Sequence, residues 1–172
     1  NDEITYVDGT FEDAIYMNSG TAVMGNYFDM PYGVESSTAN SCAVWGYQGL
    51  SGSTTLSGFA VTAGLPESSA LYTLPITLEE GQWNVFDLGW DFPGDFVIAI
   101  EVSVTIGMAI DASGSPSQNS WANLGGWQPW TEVANEYTLT DGEFGLNANV
   151  TTVGGGTPVF NAVSYTHLRA HE

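Results

Sequence analysis

Apolar and polar residues alternate along residues 95–112 in the pattern of a β-strand. Every even position from Phe96 to Ile110 is apolar, and from Glu101 onward the odd positions are small or polar. A period of two places one set of side chains in a core and the other on the opposite face. A straight strand of this length would exceed about 50 Å, whereas a domain of this size has a radius of gyration of about 15 Å. We therefore expect a bend near residues 103–107 and two adjacent central strands.

Shorter alternating segments recur along the chain between turn signals, and no segment shows sustained helical periodicity. Residues 143–150 close the series, with their even-numbered side chains predicted to face inward. Residues 70–78 alternate too, but Pro75 lacks a backbone N–H and indicates an edge strand or a break in the strand. Residues 31–40 are predicted as a loop and residues 64–69 as a turn. The pattern predicts an all-β, antiparallel, jelly-roll-like sandwich of about eight to ten strands, with almost no helix.

The charge balance restricts the possible partners. The chain has 20 Asp and Glu residues against one Lys or Arg, while charged residues make up only 12% of it. Charged residues typically make up about 25% of a globular domain. The acids are therefore near their usual abundance here, and the bases are nearly absent. Binding to nucleic acids or to anionic membranes relies on Lys and Arg, so both are disfavoured. Divalent cations and neutral ligands such as glycans remain plausible partners, and no apolar run is long enough to span a membrane.

The C-terminal end differs from the rest of the chain. Residues 163–172, VSYTHLRAHE, contain both histidines and the only arginine, and they resemble the translation of a transposase sequencing adapter. We therefore divide the chain into a β-sandwich module at 1–153, a Gly-rich linker toward a following domain at 154–161 and a non-native tail at 162–172. The natural chain is expected to continue past Asn161.

Few catalytic chemistries are open to this composition. A Ser or Cys nucleophile needs a base, normally His, and His167 and His171 lie in the tail. Zinc coordination fails for the same reason, because Cys42 is the only cysteine; it is predicted to be a small buried strand residue.

A carboxylate pair is the remaining catalytic possibility, since glycoside hydrolysis needs only two acids about 5–9.5 Å apart. The candidates are Glu101, Asp111, Glu132 and Glu136. Glu101 lies in the middle of the central alternating run. The alternative interpretation is that these acids are solvated carboxylates on outer faces.

Calcium is the metal that this sequence favours, because its ligands are carboxylate, amide and carbonyl oxygens. Asp8, Glu12 and Asp13 cluster around the first turn and form the candidate calcium site. Asp91 and Asp95 flank a second turn, and neither group matches the EF-hand loop. Ordinary turn chemistry explains both groups equally well.

An aromatic stretch provides the candidate ligand-binding site. Trp121, Trp127 and Trp130 fall close together beside Asn123 and Gln128. Indole rings stack on sugar rings and amides bond hydroxyl groups, so these five residues predict a glycan site. The alternative is that the tryptophans cap one end of the sandwich and are buried.

Five motifs resemble a family of secreted bacterial β-sandwich modules, common in surface and exported proteins of Bacteroidetes-like bacteria that use type IX secretion. The motifs are TYVDGTFEDA (residues 5–14), DFVIAIEV (95–102), IGMAIDASG (106–114), SWANLGGWQPW (120–130) and DGEFGLNANV (141–150). The first resembles the family's opening Y-D-D-G-T-x-E-N-A, and the next two resemble its paired central strands. The fourth resembles its G-G-W element, and the fifth resembles its closing strand.

Two positions depart from the family pattern: Val7 replaces the first Asp, and Asn147 stands where Arg is usual. The resemblance implies a non-catalytic module that flanks peptidases, fibronectin-like domains or sorting signals. We therefore predict a secreted or cell-surface module that acts in adhesion, glycan binding or as a structural spacer. The alternatives are a carboxylate-pair glycoside hydrolase and a self-assembling surface or filament subunit, which an unpaired strand edge would favour.

Overall fold

The computed structural model describes residues 2–113 and 116–155, and these residues form an antiparallel β-sandwich. The predicted fold class is confirmed, with fourteen strands, several of them only two to four residues long, and one short helix. The elements are β1 (Asp2–Ile4), β2 (Asp13–Ile15), β3 (Ala22–Phe28), β4 (Val34–Trp45), β5 (Ser53–Thr62), β6 (Leu65–Pro66), β7 (Tyr72–Thr77), β8 (Trp83–Phe92), β9 (Phe96–Val102), β10 (Met108–Asp111), β11 (Ser120–Asn123), β12 (Trp127–Pro129), α1 (Trp130–Tyr137), β13 (Glu143–Phe144) and β14 (Leu146–Gly154). The tail, and the predicted linker beyond Gly155, lie outside the described residues.

Two sheets pack face to face around one main core. A four-stranded sheet has the order β1-β14-β4-β8, and a seven-stranded sheet has the order β12-β11-β3-β9-β5-β6, with β7 also paired to β5. Alternate residues of each sheet point between the layers, including the even-numbered residues 144–150, as predicted. Phe96 of β9 stacks on Phe92 of β8, with ring centroids 4.5 Å apart, and on Phe28 of β3 at 5.1 Å. These stacked rings join the two layers.

The central alternating run bends where expected, but its two halves are not adjacent strands. After β9 the chain turns at residues 103–107, where the Ser103 N–H donates to the Ile106 carbonyl at 2.9 Å and Val104 is 51% exposed. β9 then pairs with β3 and β5, whereas β10 pairs with β2 and β13 in a separate three-stranded sheet. The expectation of neighbouring strands is therefore wrong. A period of two fixes which face is buried but not which strand becomes the partner.

Three local predictions also change. Residues 31–40, predicted as a loop, include the first part of β4, a polar segment in which Ser37 is buried and donates its hydroxyl to the Gly94 carbonyl at 2.6 Å. The predicted turn at 64–69 contains β6, because Ala63 (φ 52°) and Gly64 (φ 77°) form a tight two-residue hairpin turn. Helix α1 was missed because it has only eight residues, with Trp130, Val133 and Ala134 buried on one side. Within the described ranges no helix has the length and apolar character needed to cross a membrane.

The long strand β8 is an edge strand, since among the described residues it pairs only with β4. Its solvent face carries Asp87 and Asp91, and its ladder is interrupted by a bulge at Gly89 (φ 63°). The Asp91 carbonyl also accepts a hydrogen bond from the Tyr72 hydroxyl at 3.0 Å, which ties β8 to β7 of the other sheet. Edge charges and bulges oppose edge-to-edge pairing. β7 is likewise an edge strand, as Pro75 predicted.

Candidate functional site

The three clustered tryptophans occupy different environments. Trp130, the first residue of α1, is completely buried, packs on Phe144 and donates its indole N–H to the Thr140 carbonyl at 3.0 Å. Its ring therefore belongs to the core, as the alternative interpretation proposed for all three. Trp121 is half-buried on β11 and lies against Tyr27 of β3, with centroids 5.7 Å apart. Trp127 lines a cavity.

Trp127 extends over the outer face of the seven-stranded sheet, which we define as the face turned away from the main core. In a flat sheet, four strand spacings would separate β12 from β5 by about 19 Å. The Trp127 ring nevertheless lies edge-to-face with Phe59 of β5, with centroids 5.0 Å apart. The sheet is therefore strongly curved, and its outer face is concave. Val97 and Ala99 of β9 lie fully buried in the middle of this face.

A cleft opens between the ends of two hairpins, β5–β6 and β11–β12. It has a volume of about 280 Å³, and we call it the Trp127 cleft. The indole N–H of Trp127 donates to the Glu67 carbonyl at 3.0 Å, which fixes the ring between the two hairpins. The cleft is lined by Leu65, Pro66, Ser68, Asn123, Gly125, Gly126 and Trp127.

Asn123 supplies the polar group that is best fixed in the cleft. It lies directly opposite Trp127 in the β11–β12 ladder. Its Oδ1 accepts hydrogen bonds from the backbone N–H groups of Gly125 (3.2 Å) and Gly126 (2.9 Å), which orients the side chain. The Nδ2 group then keeps both its hydrogens for a ligand, since an amide nitrogen is a double donor.

The Trp127 cleft has no charged side chain in its lining. It offers an indole ring, an amide donor, the Ser68 hydroxyl and the apolar surfaces of Leu65 and Pro66. This combination suits a neutral ligand with hydroxyl groups and an apolar face. Of the five predicted residues, Trp127 and Asn123 line the cleft. Gln128 is exposed on β12, pointing away from Trp127 along the strand alternation.

The predicted calcium ligands do not form one group. Asp8 and Glu12 are joined through the Thr10 hydroxyl, which donates to Asp8 at 2.7 Å and to Glu12 at 2.9 Å. The hydrogen bonds that Asp8 accepts from the hydroxyl and the N–H of Thr10 lower the pKa of its carboxyl. Asp111 joins this cluster by accepting from the Asp8 N–H at 2.8 Å and from the Ser113 hydroxyl at 2.6 Å.

Asp13 lies outside that cluster. Its carboxylate accepts hydrogen bonds from the Thr140 hydroxyl and the Ala14 N–H, so it anchors β2 instead. In residues 2–113 and 116–155, no group of three or more His, Cys, Asp or Glu side chains has an arrangement that holds a metal ion. Calcium binding near Asp8 and Glu12 stays a prediction.

The second acidic pair is also divided between separate partners. Asp95 accepts from the Tyr27 hydroxyl at 2.8 Å and from the Met30 N–H at 2.7 Å, whereas Asp91 accepts from the Thr38 hydroxyl at 2.6 Å. Burial and the neighbouring Asp95 raise the pKa of Tyr27. Asp95 therefore stabilises the end of β3 and the residues after it, and Asp91 stabilises the pairing of β8 with β4.

The four candidate catalytic acids lie on three different elements. Glu101 is exposed on β9, and Glu132 and Glu136 are exposed on α1, while Asp111 is buried on β10 with the partners described above. The Trp127 cleft contains none of them. Nothing in this arrangement favours the glycoside hydrolase alternative.

Sequence reasoning missed the buried carboxylate of Glu143. This residue is 3% exposed and accepts hydrogen bonds from the Gln118 N–H (2.8 Å) and the Ser120 hydroxyl (2.9 Å). Ser120 in turn bonds Asn26, whose amide donates to the carbonyls of Phe144 and Leu146 across the two sheets. The network is internally satisfied, so it holds the β3, β11 and β13 ends together.

Comparisons with known proteins show likeness at the level of the fold. No family model and no curated protein matches the chain. Two solved structures of Cwp84, a surface-layer-associated protein of Clostridium difficile, match it. The cysteine protease after propeptide cleavage matches with a TM-score of 0.66 at 13% identity, covering 88% of this chain and 40% of that one. The structure of its cysteine protease and lectin-like domains matches with a TM-score of 0.56 at 12% identity, covering 77% and 32%. The chain thus spans two fifths or less of the chains it matches.

Proposed function

We propose that this chain is a non-catalytic, extracellular β-sandwich module of a larger secreted or surface protein, and that it binds neutral glycans in the Trp127 cleft. The observation that carries this proposal is the uncharged cleft in which the Trp127 ring lies opposite the oriented amide of Asn123. An indole ring packs against the C–H face of a sugar, and the amide donates to its hydroxyl oxygens.

The charge of the chain supports a neutral ligand. Residues 2–155 contain no Lys, Arg or His, so no cationic side chain is present in the module to attract a phosphate, a sulfate or a uronic acid. The formal net charge of −19 repels anionic polymers over the Debye length. Uncharged sugars are the glycans that such a surface tolerates.

The fold comparison supports the extracellular part of the proposal. The matched protein is associated with a surface layer, and one of its structures includes a lectin-like domain beside a cysteine protease. That domain arrangement agrees with the resemblance of this chain to modules that flank other domains in type IX-secreted proteins. Sequencing of the gene tests the resemblance, because it shows which domains lie beside this module.

Two tryptophan variants test the glycan proposal. A glycan array identifies a neutral ligand, and calorimetric titration then compares the parent chain with Trp127→Ala and Trp121→Ala. Trp127→Ala is expected to weaken binding at least about tenfold, because it removes the stacking ring. Trp121→Ala is the matched control, since Trp121 lies on the same hairpin but outside the cleft, and it should keep the parent affinity. Equal loss in both variants, or no neutral glycan on the array, would refute the proposal.

A further inference from the structure

The first half of strand β8 has backbone groups that point away from its partner strand. The Gly46 N–H donates to the Gln82 carbonyl at 3.0 Å, so the residue just before β8 directs its carbonyl toward β4. The backbone groups of an antiparallel strand point alternately to its two sides. Those of Trp83, Val85 and Asp87 therefore point away from β4, on the side where β8 has no neighbouring strand in the described part of the chain.

The pairing of β4 gives the same direction. Trp45 of β4 lies opposite Trp83, and its N–H donates to the Gly145 carbonyl at 2.9 Å, on the side away from β8. Opposite residues that turn their backbone groups away from each other form a non-hydrogen-bonded pair of the ladder. The N–H and the carbonyl of Trp83 are therefore left free by β4.

This open half of β8 has apolar surface on both faces. Val85 lies on the outer face of the sheet and is 66% exposed. Phe86 and Leu88 point toward the other sheet but are only half-buried, whereas Trp90 is buried and stacks on Tyr72 of β7 with centroids 5.3 Å apart. β7 therefore covers the second half of β8 and leaves the first half open. An exposed apolar strand edge is a template for a further strand.

Acidic residues determine which kind of strand fits this edge. Asp87 is exposed in the open half, and Glu79 and Glu80 are exposed in the turn before β8. Opposite charges on neighbouring strands stabilise a pair of strands, and like charges destabilise it. A second copy of the chain carries the same net charge of −19 and is repelled. A basic strand is attracted.

From these observations we propose that β8 binds an extended basic segment of a partner protein, which adds to its free edge at residues 83–87 as a further strand. The backbone of the segment pairs with that of Trp83, Val85 and Asp87. A Lys or Arg of the segment lies beside Asp87, and its apolar side chains cover Val85 and Phe86.

The structure also limits the length of the added strand. The bulge at Gly89 (φ 63°) interrupts the ladder, and the Tyr72 hydroxyl already donates to the Asp91 carbonyl at 3.0 Å. The added strand therefore ends before Gly89. A contact of this size suits a weak, reversible association. It is independent of the Trp127 cleft, which is built on the other sheet.

Fluorescence anisotropy with two labelled peptides tests this proposal on the full chain. One peptide alternates Val with Lys, and the other alternates Val with Glu. We expect the Lys peptide to bind at least about tenfold more tightly than the Glu peptide, because only its charges complement Asp87. No binding of the Lys peptide, or equal binding of both, would overturn the proposal.

Two substitutions of Val85 separate strand addition from general attraction between opposite charges. Val85→Pro removes an N–H that points away from β4, so the sandwich should keep its ladder and its net charge. It is expected to weaken binding of the Lys peptide at least about tenfold. Val85→Thr is the matched control, since it keeps the N–H and a β-branched side chain, and it should bind within about threefold of the parent. Equal affinity of the two variants would overturn the proposal.

A third variant does not depend on how the fold tolerates proline. Asp87→Lys places a positive charge on the open half of β8 and is expected to shift the preference toward the Glu peptide; an unchanged preference would contradict the proposed position of the strand. Sedimentation velocity of the parent chain without peptide examines the other occupant. We expect a monomer, whereas a dimer that Val85→Pro dissociates would identify a second copy as the occupant and overturn the proposal.

Discussion

Replacement of Trp130 by Ala is expected to destabilise the sandwich far more than replacement of Trp127. Trp130 is completely buried, packs on Phe144 and bonds the Thr140 carbonyl, so its loss removes core volume and one buried hydrogen bond. Truncation of a buried Trp to Ala costs about 3–5 kcal/mol. Each kcal/mol lowers the melting temperature by about 2–4 °C in a domain of this size, so we expect a fall of about 6–20 °C.

Trp127 provides the comparison, because its ring is only half-buried on the outer face. Partial burial of the ring, its contact with Phe59 and its hydrogen bond to Glu67 together correspond to about 1–2 kcal/mol, which is a fall of about 2–8 °C. Differential scanning calorimetry of the parent chain and both variants measures the two shifts. A fall of less than about 4 °C for Trp130→Ala, or a fall for Trp127→Ala that exceeds the fall for Trp130→Ala, would refute the separation into a core residue and a surface residue.

Three further predictions concern titratable groups and calcium. Burial raises the pKa of the Cys42 thiol to about 12, so iodoacetamide at pH 8 should label the urea-unfolded chain but not the folded one; rapid labelling of the folded chain would contradict the burial. The Thr10 hydrogen bonds lower the pKa of Asp8 from its ordinary 3.8, so this carboxylate stabilises the fold above pH 3.8 and stops doing so as the pH falls through the lowered pKa. The difference in urea midpoint between the parent and Asp8→Asn should therefore be largest at neutral pH and shrink in acid, and a constant difference would argue against this role. If calcium binds at Asp8 and Glu12, millimolar calcium should raise the melting temperature of the parent but not of Glu12→Gln, and an unchanged parent would remove this site from consideration.

The sequence predicted burial better than pairing. Alternation identified the even-numbered side chains of residues 143–150, and those of the 95–112 run except Val104, as facing the core, because a strand with one buried face must place apolar residues at every second position. It did not show that β9 and β10 enter different sheets. That choice depends on the turn at residues 103–107 and on partners that come from distant parts of the chain.

The candidate site shows the same limit. Trp127 and Asn123 were found together because they lie four residues apart on one hairpin. Leu65, Pro66 and Ser68 complete the cleft from about 60 residues away, at a distance that only the curvature of the sheet closes. Trp130 was grouped with the ligand residues because it is near them in sequence, although the start of α1 directs it into the core.

The Trp127 cleft is formed by the ends of two hairpins, so its shape depends on the contacts that join them. β6 and β12 are the end strands of the seven-stranded sheet, and each is paired on one side. The Trp127 indole N–H, which donates to the Glu67 carbonyl at 3.0 Å, and the contact of its ring with Phe59 hold the two hairpins together. A ligand therefore meets a preformed cleft, and little free energy is lost in ordering the protein. Selectivity must then come from the few polar atoms of the cleft, and the amide donor of Asn123 favours hydroxyl groups over cations.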